Sequence, residues 1–103
     1  MSTFRFEYGA VLATAVQVTE DSLSVDLSDG RTIVAPIVWF PRLLHGTAAE
    51  RAKWEFNGGG AGIHWPELDE DISVEGLLFG GPSRESAKSL ARWLDSRKQA
   101  IAS

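Results

Sequence analysis

At 103 residues the chain has the size of one domain, in which a single core buries somewhat over about 60% of the unfolded surface. Its 44% hydrophobic and 23% charged residues are the balance of a folded domain rather than a disordered one, and with no cysteine it has no disulfide, thiolate metal site or cysteine nucleophile. The net charge of −4 divides into +3 from Ser83 onward and −7 before it, and so acidic a body argues against nucleic acid as the main ligand.

Gly9 to Val18 is apolar enough to resemble a weak signal core, with Ala13-Thr14-Ala15 as a cleavage-like motif, but Glu7 precedes it and Gln17 interrupts it. We therefore expect no secretory leader and a cytoplasmic protein. No run approaches the roughly 20 apolar residues of a membrane span.

In chain order, Phe4–Tyr8 is a weak candidate strand. Thr14 to Thr19 and Leu23 to Leu27 alternate apolar and polar residues and read as two strands joined by a tight turn. Asp29-Gly30 is a hairpin signal, because glycine adopts positive φ without steric cost, and Arg31 to Val38 completes a three-stranded meander. Pro36 places the end of that third strand at an edge or bulge. Pro41 suits the first position of a helical turn that Gly46 ends, and Thr47 with Glu50 matches a capping box for a short helix to about Trp54.

Gly58 to Gly62 reads as the turn of a second hairpin, pairing Trp54–Phe56 with Ile63–Trp65. After Pro66 stops that strand, Asp69, Asp71 or Ser73 is expected to cap a short helix running into Leu77-Leu78. Ser83 is the expected cap of a C-terminal amphipathic helix, about 84–99, with Ala87, Leu90, Ala91 and Leu94 as its apolar stripe and Trp93 broadening it. The fold class is therefore α+β, in a single domain spanning 1–103: an antiparallel three-stranded meander, a second short hairpin, short helices and the C-terminal amphipathic helix.

Several motifs stand in an order that resembles one family. They are Val25-x-Leu27-x-Asp29-Gly30-Arg31, Pro36-x-x-Trp39-Phe40-Pro41-Arg42-Leu43, Ala48-x-Glu50-Arg51-x-x-Trp54, and the long run from Gly62-Ile63-His64-Trp65-Pro66 to Gly76-Leu77-Leu78. Together, over about 16–80, they resemble the small bacterial domain-of-unknown-function family 2442. The resemblance implies a compact α+β domain of bacterial or phage origin, often encoded beside another small protein as in toxin–antitoxin-like pairs. It brings no established activity. Some relatives continue into a helix-turn-helix, for which one terminal helix is too short.

The chemistry-bearing residues gather in Ile63–Leu78, where apolar side chains alternate with Glu67, Asp69, Glu70, Asp71 and Glu75. A histidine on a strand beside carboxylates, here His64 with Asp69 or Glu70, is the arrangement of a general base, although a histidine bonded to a structural partner is the plainer role. Asp69-x-Asp71-x-Ser73 begins like a calcium loop, but Val74 stands where glycine is needed and Gly80 where the twelfth-position acid belongs. The glycine run lacks the residues of a phosphate loop, and neither histidine sits in a zinc-binding His-Glu-x-x-His frame. We expect no metal and no cofactor.

The expected role is a non-catalytic protein-interaction module, the partner-binding member of a toxin–antitoxin-like pair. Its expected contact surface is Trp39, Pro41, Arg42, Trp65, Glu67, Asp69, Glu70 and Asp71, with an adjacent gene as the natural source of a protein partner and self-association open as well. Two alternatives stand beside it. One is a small hydrolase-like enzyme centred on His64; the other is a nucleic-acid-associated regulator acting through a basic C-terminal face of Arg84, Lys88 and Arg92.

Overall fold

The structure, a computed structural model, describes residues 11–102. The expected strand at Phe4–Tyr8 lies outside them. The meander is present: β1 (Ala13–Val18), β2 (Ser22–Leu27) and β3 (Thr32–Pro36) form an antiparallel sheet in that order. Its alternation has a direct cause. The register sets Val25 opposite Val16 and Ile33, so the apolar side chains share one face, with Leu23 and Val25 wholly buried. Gly30, at φ 96°, makes the β2–β3 turn, as the Asp-Gly signal requires.

The third strand ends earlier than Val38, at Pro36, and Ile37–Trp39 form a tight helical turn. Proline has no N–H to offer the ladder, and the Ile37 N–H donates to the Asp21 carbonyl (2.9 Å) as the chain leaves the sheet. Pro41 then opens α1 (Pro41–His45), and α2 (Ala48–Ala52) starts in a complete capping box. There the Glu50 N–H donates to Thr47 Oγ1 (3.1 Å) and the Thr47 N–H to Glu50 Oε1 (2.9 Å).

Beyond α2, β4 (Glu55–Asn57) and β5 (Gly62–Trp65) pair across the glycine turn as expected, but the unit is larger than a hairpin. Glu70–Ser73 forms a further strand, β6, and the second sheet runs β4-β5-β6. Ile72 is the one apolar residue of β6, and it packs opposite Ile63. Of the three residues expected to cap the following helix, Ser73 does so for α3 (Val74–Phe79), accepting the Gly76 N–H at 2.9 Å. Asp69 occupies the β5–β6 turn at φ 52°, and Asp71 lies within β6.

The C-terminal helix, α4 (Ala87–Ala102), begins after Arg84 because the cap is Ser86, whose Oγ accepts the Ser89 N–H (3.1 Å). Ser83 instead accepts from Glu85 N–H in the connecting loop. The covered face also differs from expectation. Ala87 and Ala91 are exposed, while Leu90, Trp93, Leu94 and Arg97 are half-buried.

Two bidentate ion pairs hold this helix. Arg42 on α1 reaches Glu85 through Nε and Nη2 (2.9 and 2.6 Å), and Arg97 reaches Glu50 through Nη1 and Nη2 (3.1 and 2.8 Å). Both guanidinium groups also stand against the Trp93 ring, with Cζ 5.0 and 4.7 Å from its centroid.

Trp93→Ala should lower stability by about 1–3 kcal/mol in urea unfolding, since it removes half-buried area and both cation–π contacts. Replacing the exposed neighbour Arg92 by Ala should change it by less than about 0.5 kcal/mol.

Candidate functional site

Two sheet edges face each other across a groove. β3 is the outer strand of its sheet and β6 of the other, and α3 touches both. Between them lies a groove of about 660 Å³. Its apolar side includes Ile33, Trp39, Phe40 and Leu77; Glu70 and Asp71 stand on the β6 side, and Arg84 lies at the loop end. Val34 (64% exposed) and Phe79 (84% exposed) are at its mouth, and Phe79 also lines a second recess with Val11, Arg31, Glu75 and Leu78.

Local sequence explains why this surface is held in place. Ile63 and Trp65 are 0% exposed on one face of β5, and Leu68 tucks the β5–β6 turn into the same core. The Trp65 indole N–H donates to the Arg51 carbonyl (3.0 Å), while the Arg51 guanidinium caps α1 by donating to the carbonyls of Leu43 (2.8 Å) and Leu44 (2.9 Å). β6 is thereby fixed with its carboxylates on the outside. Glu70 is the exception, half-buried against the groove, with Oε1 accepting the Asp71 N–H at 3.2 Å. Among the described residues it forms no ion pair.

Burial pushes the Glu70 carboxyl up to about 7, the charge of Glu85 adds to that rise, and the Asp71 N–H and Arg42 oppose it. Glu50 and Glu85 are shifted the other way. The Arg97 hydrogen bonds hold Glu50 down to about 2, and those from Arg42 hold Glu85 below the usual carboxylate range.

The groove brings together only part of the surface expected from sequence. Trp39, Glu70 and Asp71 line it. Arg42 is consumed within the fold, binding Glu85 and donating through Nη1 to the Asp69 carbonyl (3.1 Å), with the Asp69 carboxylate at 3.4 Å. Trp65 is sealed in the core, so it positions the site from beneath and offers a partner no surface. Glu67 lies away from the groove, paired with Lys53 at 2.9 Å, and Pro41 is half-buried at the start of α1.

His64 meets Asp71 rather than Asp69 or Glu70. The two are cross-strand neighbours, with Nδ1 and Oδ1 2.9 Å apart, and Asn57 Nδ2 donates to the same oxygen (3.2 Å). No group of three or more possible metal ligands occurs among the described residues. Arg84, Lys88 and Arg92 are exposed and form no ion pair with any of the described residues. Val34 and Phe79 were not expected at the site. The available signal for Phe79 was an aromatic side chain directly before Gly80-Gly81, off the buried stripe of its helix.

Fold and site define a small α+β domain in which two three-stranded antiparallel sheets leave a groove between the edge strands β3 and β6. The chain belongs to the family described as "Protein of unknown function (DUF2442)", whose model matches residues 13–83. A crystal structure of a protein of unknown function from Rhodospirillum rubrum is similar at 27% identity, over 73% of this chain and 93% of that one, with TM-score 0.63. The solution structure of the uncharacterized protein CV0863 from Chromobacterium violaceum is similar at 26% identity, over 79% of this chain and 74% of that one, with TM-score 0.59. No curated protein matches the chain.

The opposed shifts give a pH profile of definite sign. Glu70 binds its proton more tightly folded than unfolded, so its contribution to stability falls as pH rises from about 4.5 through about 7. Glu50 contributes stability above about pH 4.5 that is lost as pH falls toward 2, and Glu85, also held below its ordinary value, likewise loses its contribution on acidification. Urea midpoints measured from pH 3 to 8 should show Glu70→Gln gaining on the parent chain by about 1 kcal/mol at pH 8, after allowing for solvent screening, and gaining nothing at pH 4.

Proposed function

We propose that this chain is a non-catalytic protein-binding module and that its groove between β3 and β6 is the binding surface. The observation that carries this reading is the opening itself: an apolar cleft with Phe79 and Val34 exposed at its mouth and carboxylates along one side. Large apolar side chains standing in solvent around a cleft are the feature that separates interaction sites from ordinary surface. The acidic rim supplies orientation and partner choice more than affinity. Family membership adds the partner's expected source, a small protein encoded by an adjacent gene, as in toxin–antitoxin-like pairs.

Arg84, Lys88 and Arg92, exposed and outside any ion pair among the described residues, favour a second reading, attachment to nucleic acid. Retention of DNA or RNA falling steeply with salt would support it. Retention absent at every salt concentration would remove it.

The test of the first reading is co-purification with the neighbouring gene's product, comparing the parent chain with Phe79→Asp. Phe79 is exposed at the end of α3, so the substitution leaves the core intact. The parent should retain the partner through a high-salt wash and the variant should lose at least about tenfold in affinity, the scale of a contact near 1.4 kcal/mol. Equal retention by both, or a parent that always elutes alone, contradicts the proposal.

A further inference from the structure

The backbone of the groove is more specific than its side chains. The Leu27 N–H donates to the Arg31 carbonyl (2.8 Å) at one end of the β2–β3 pairing, and the Ile37 N–H to the Asp21 carbonyl (2.9 Å) at the other. With the register between them, Val25/Ile33 and Leu23/Ala35 are the pairs that exchange hydrogen bonds. Thr32 and Val34 therefore aim both their N–H and C=O groups away from β2, toward the groove side, where no further strand lies among the described residues. Pro36 ends this edge, since it presents a carbonyl and no donor.

The opposite edge is different. The Val74 N–H bond to the Ala61 carbonyl (2.9 Å) fixes the β5–β6 alternation so that Asp71 and Ser73 face outward from β6. Glu70 Oε1 already takes the Asp71 N–H, and Ser73 is committed to capping α3. On the β6 edge one outward N–H is thus already taken by a side chain, while no such bond covers Thr32 or Val34 on the β3 edge among the described residues.

We propose that the groove takes an extended segment of a partner protein as an added strand on β3, with a lysine or arginine side chain of that segment paired to Glu70. This deepens the protein-binding reading and rests on it. Main-chain pairing at Thr32 and Val34 supplies the docking, and alternate side chains of the segment enter the apolar side of the groove.

Charge selects the occupant. Arg42, from α1, is already committed to Glu85 and Asp69; Glu85, from the loop before α4, and Asp71, from β6 itself, are anionic; Glu70 therefore lacks an ion pair of its own among the described residues. A second copy pairing through its own β3 would bring Thr32 to Pro36, which contains no cation. Arg31, directly before this strand, is committed to Asp29, and Arg84 at the loop end of the groove forms no ion pair with Glu70, so a foreign basic side chain supplies the partner that Glu70 has not found among the described residues.

The experiment is selection of random displayed dodecapeptides on the full chain, followed by binding measurements on the enriched peptides. Enriched sequences should alternate apolar residues, lack central proline and carry Lys or Arg at one fixed position. Methylating backbone nitrogens of the peptide one at a time should abolish binding with a period of two. Glu70→Gln should weaken it at least tenfold, and the Val34 amide should gain hydrogen-exchange protection on peptide addition.

Peptides indifferent to N-methylation, or mapping to α4, overturn strand addition while leaving the protein-binding reading in place. So does a Val34 amide already protected in the free monomer, or one protected only as the chain dimerises. Failure of every peptide alongside retention of the neighbouring gene's product overturns strand addition alone; failure of both removes the two readings together.

Discussion

The inner face of β5 is the constraint on which the rest depends. Ile63 and Trp65 are wholly out of solvent, and burying a tryptophan removes roughly 150–250 Å² from water, worth about 4–6 kcal/mol as an upper figure. An exposed ion pair such as Lys53–Glu67 contributes about 0–1 kcal/mol. Apolar anchoring therefore decides where β5 lies, and the charged side chains follow. The indole N–H would be costly to bury unpaired, by about 1–3 kcal/mol, and the Arg51 carbonyl receives it. Through the Arg51 side chain the same anchor reaches the end of α1, and so the position of Arg42.

From that anchor the groove follows geometrically. β6 must pair with the free side of β5, its single apolar residue Ile72 must face Ile63, and α3 leaves β6 at Ser73 to pack against β3. The two sheets meet through this helix rather than through a shared ladder, which leaves the groove side of β3 without a strand partner among the described residues. Glu70 is held half-buried there at a cost that a carboxylate on the open surface does not bear.

Much of this was legible in the sequence, because local rules governed it. The alternation of Leu23, Val25 and Leu27, the Asp29-Gly30 turn, the Thr47/Glu50 capping box and the glycine turn before Ile63 each involve residues close in the chain. β6 escaped because three of its four residues are polar, so neither period two nor hydrophobicity marks it. The buried face of α4 escaped because it is partly ionic: Arg97 against Glu50 and Trp93 does the work expected of Ala87 and Ala91. Arg42 and Glu85 lie 43 residues apart, and no local pattern announces such a pair. Pro36 did announce the edge of β3. That the edge opens on a groove, with Phe79 beside it, required the packing of both sheets.

If the anchored second sheet holds the groove side of β3 open, amide hydrogen exchange in the isolated chain will read it out residue by residue. Exchange should be slow at Ile33 and Ala35, whose N–H groups bond to β2, and fast at the interleaved Thr32 and Val34. Uniform protection from Thr32 through Ala35 would contradict it, since it would mean that the edge is already covered.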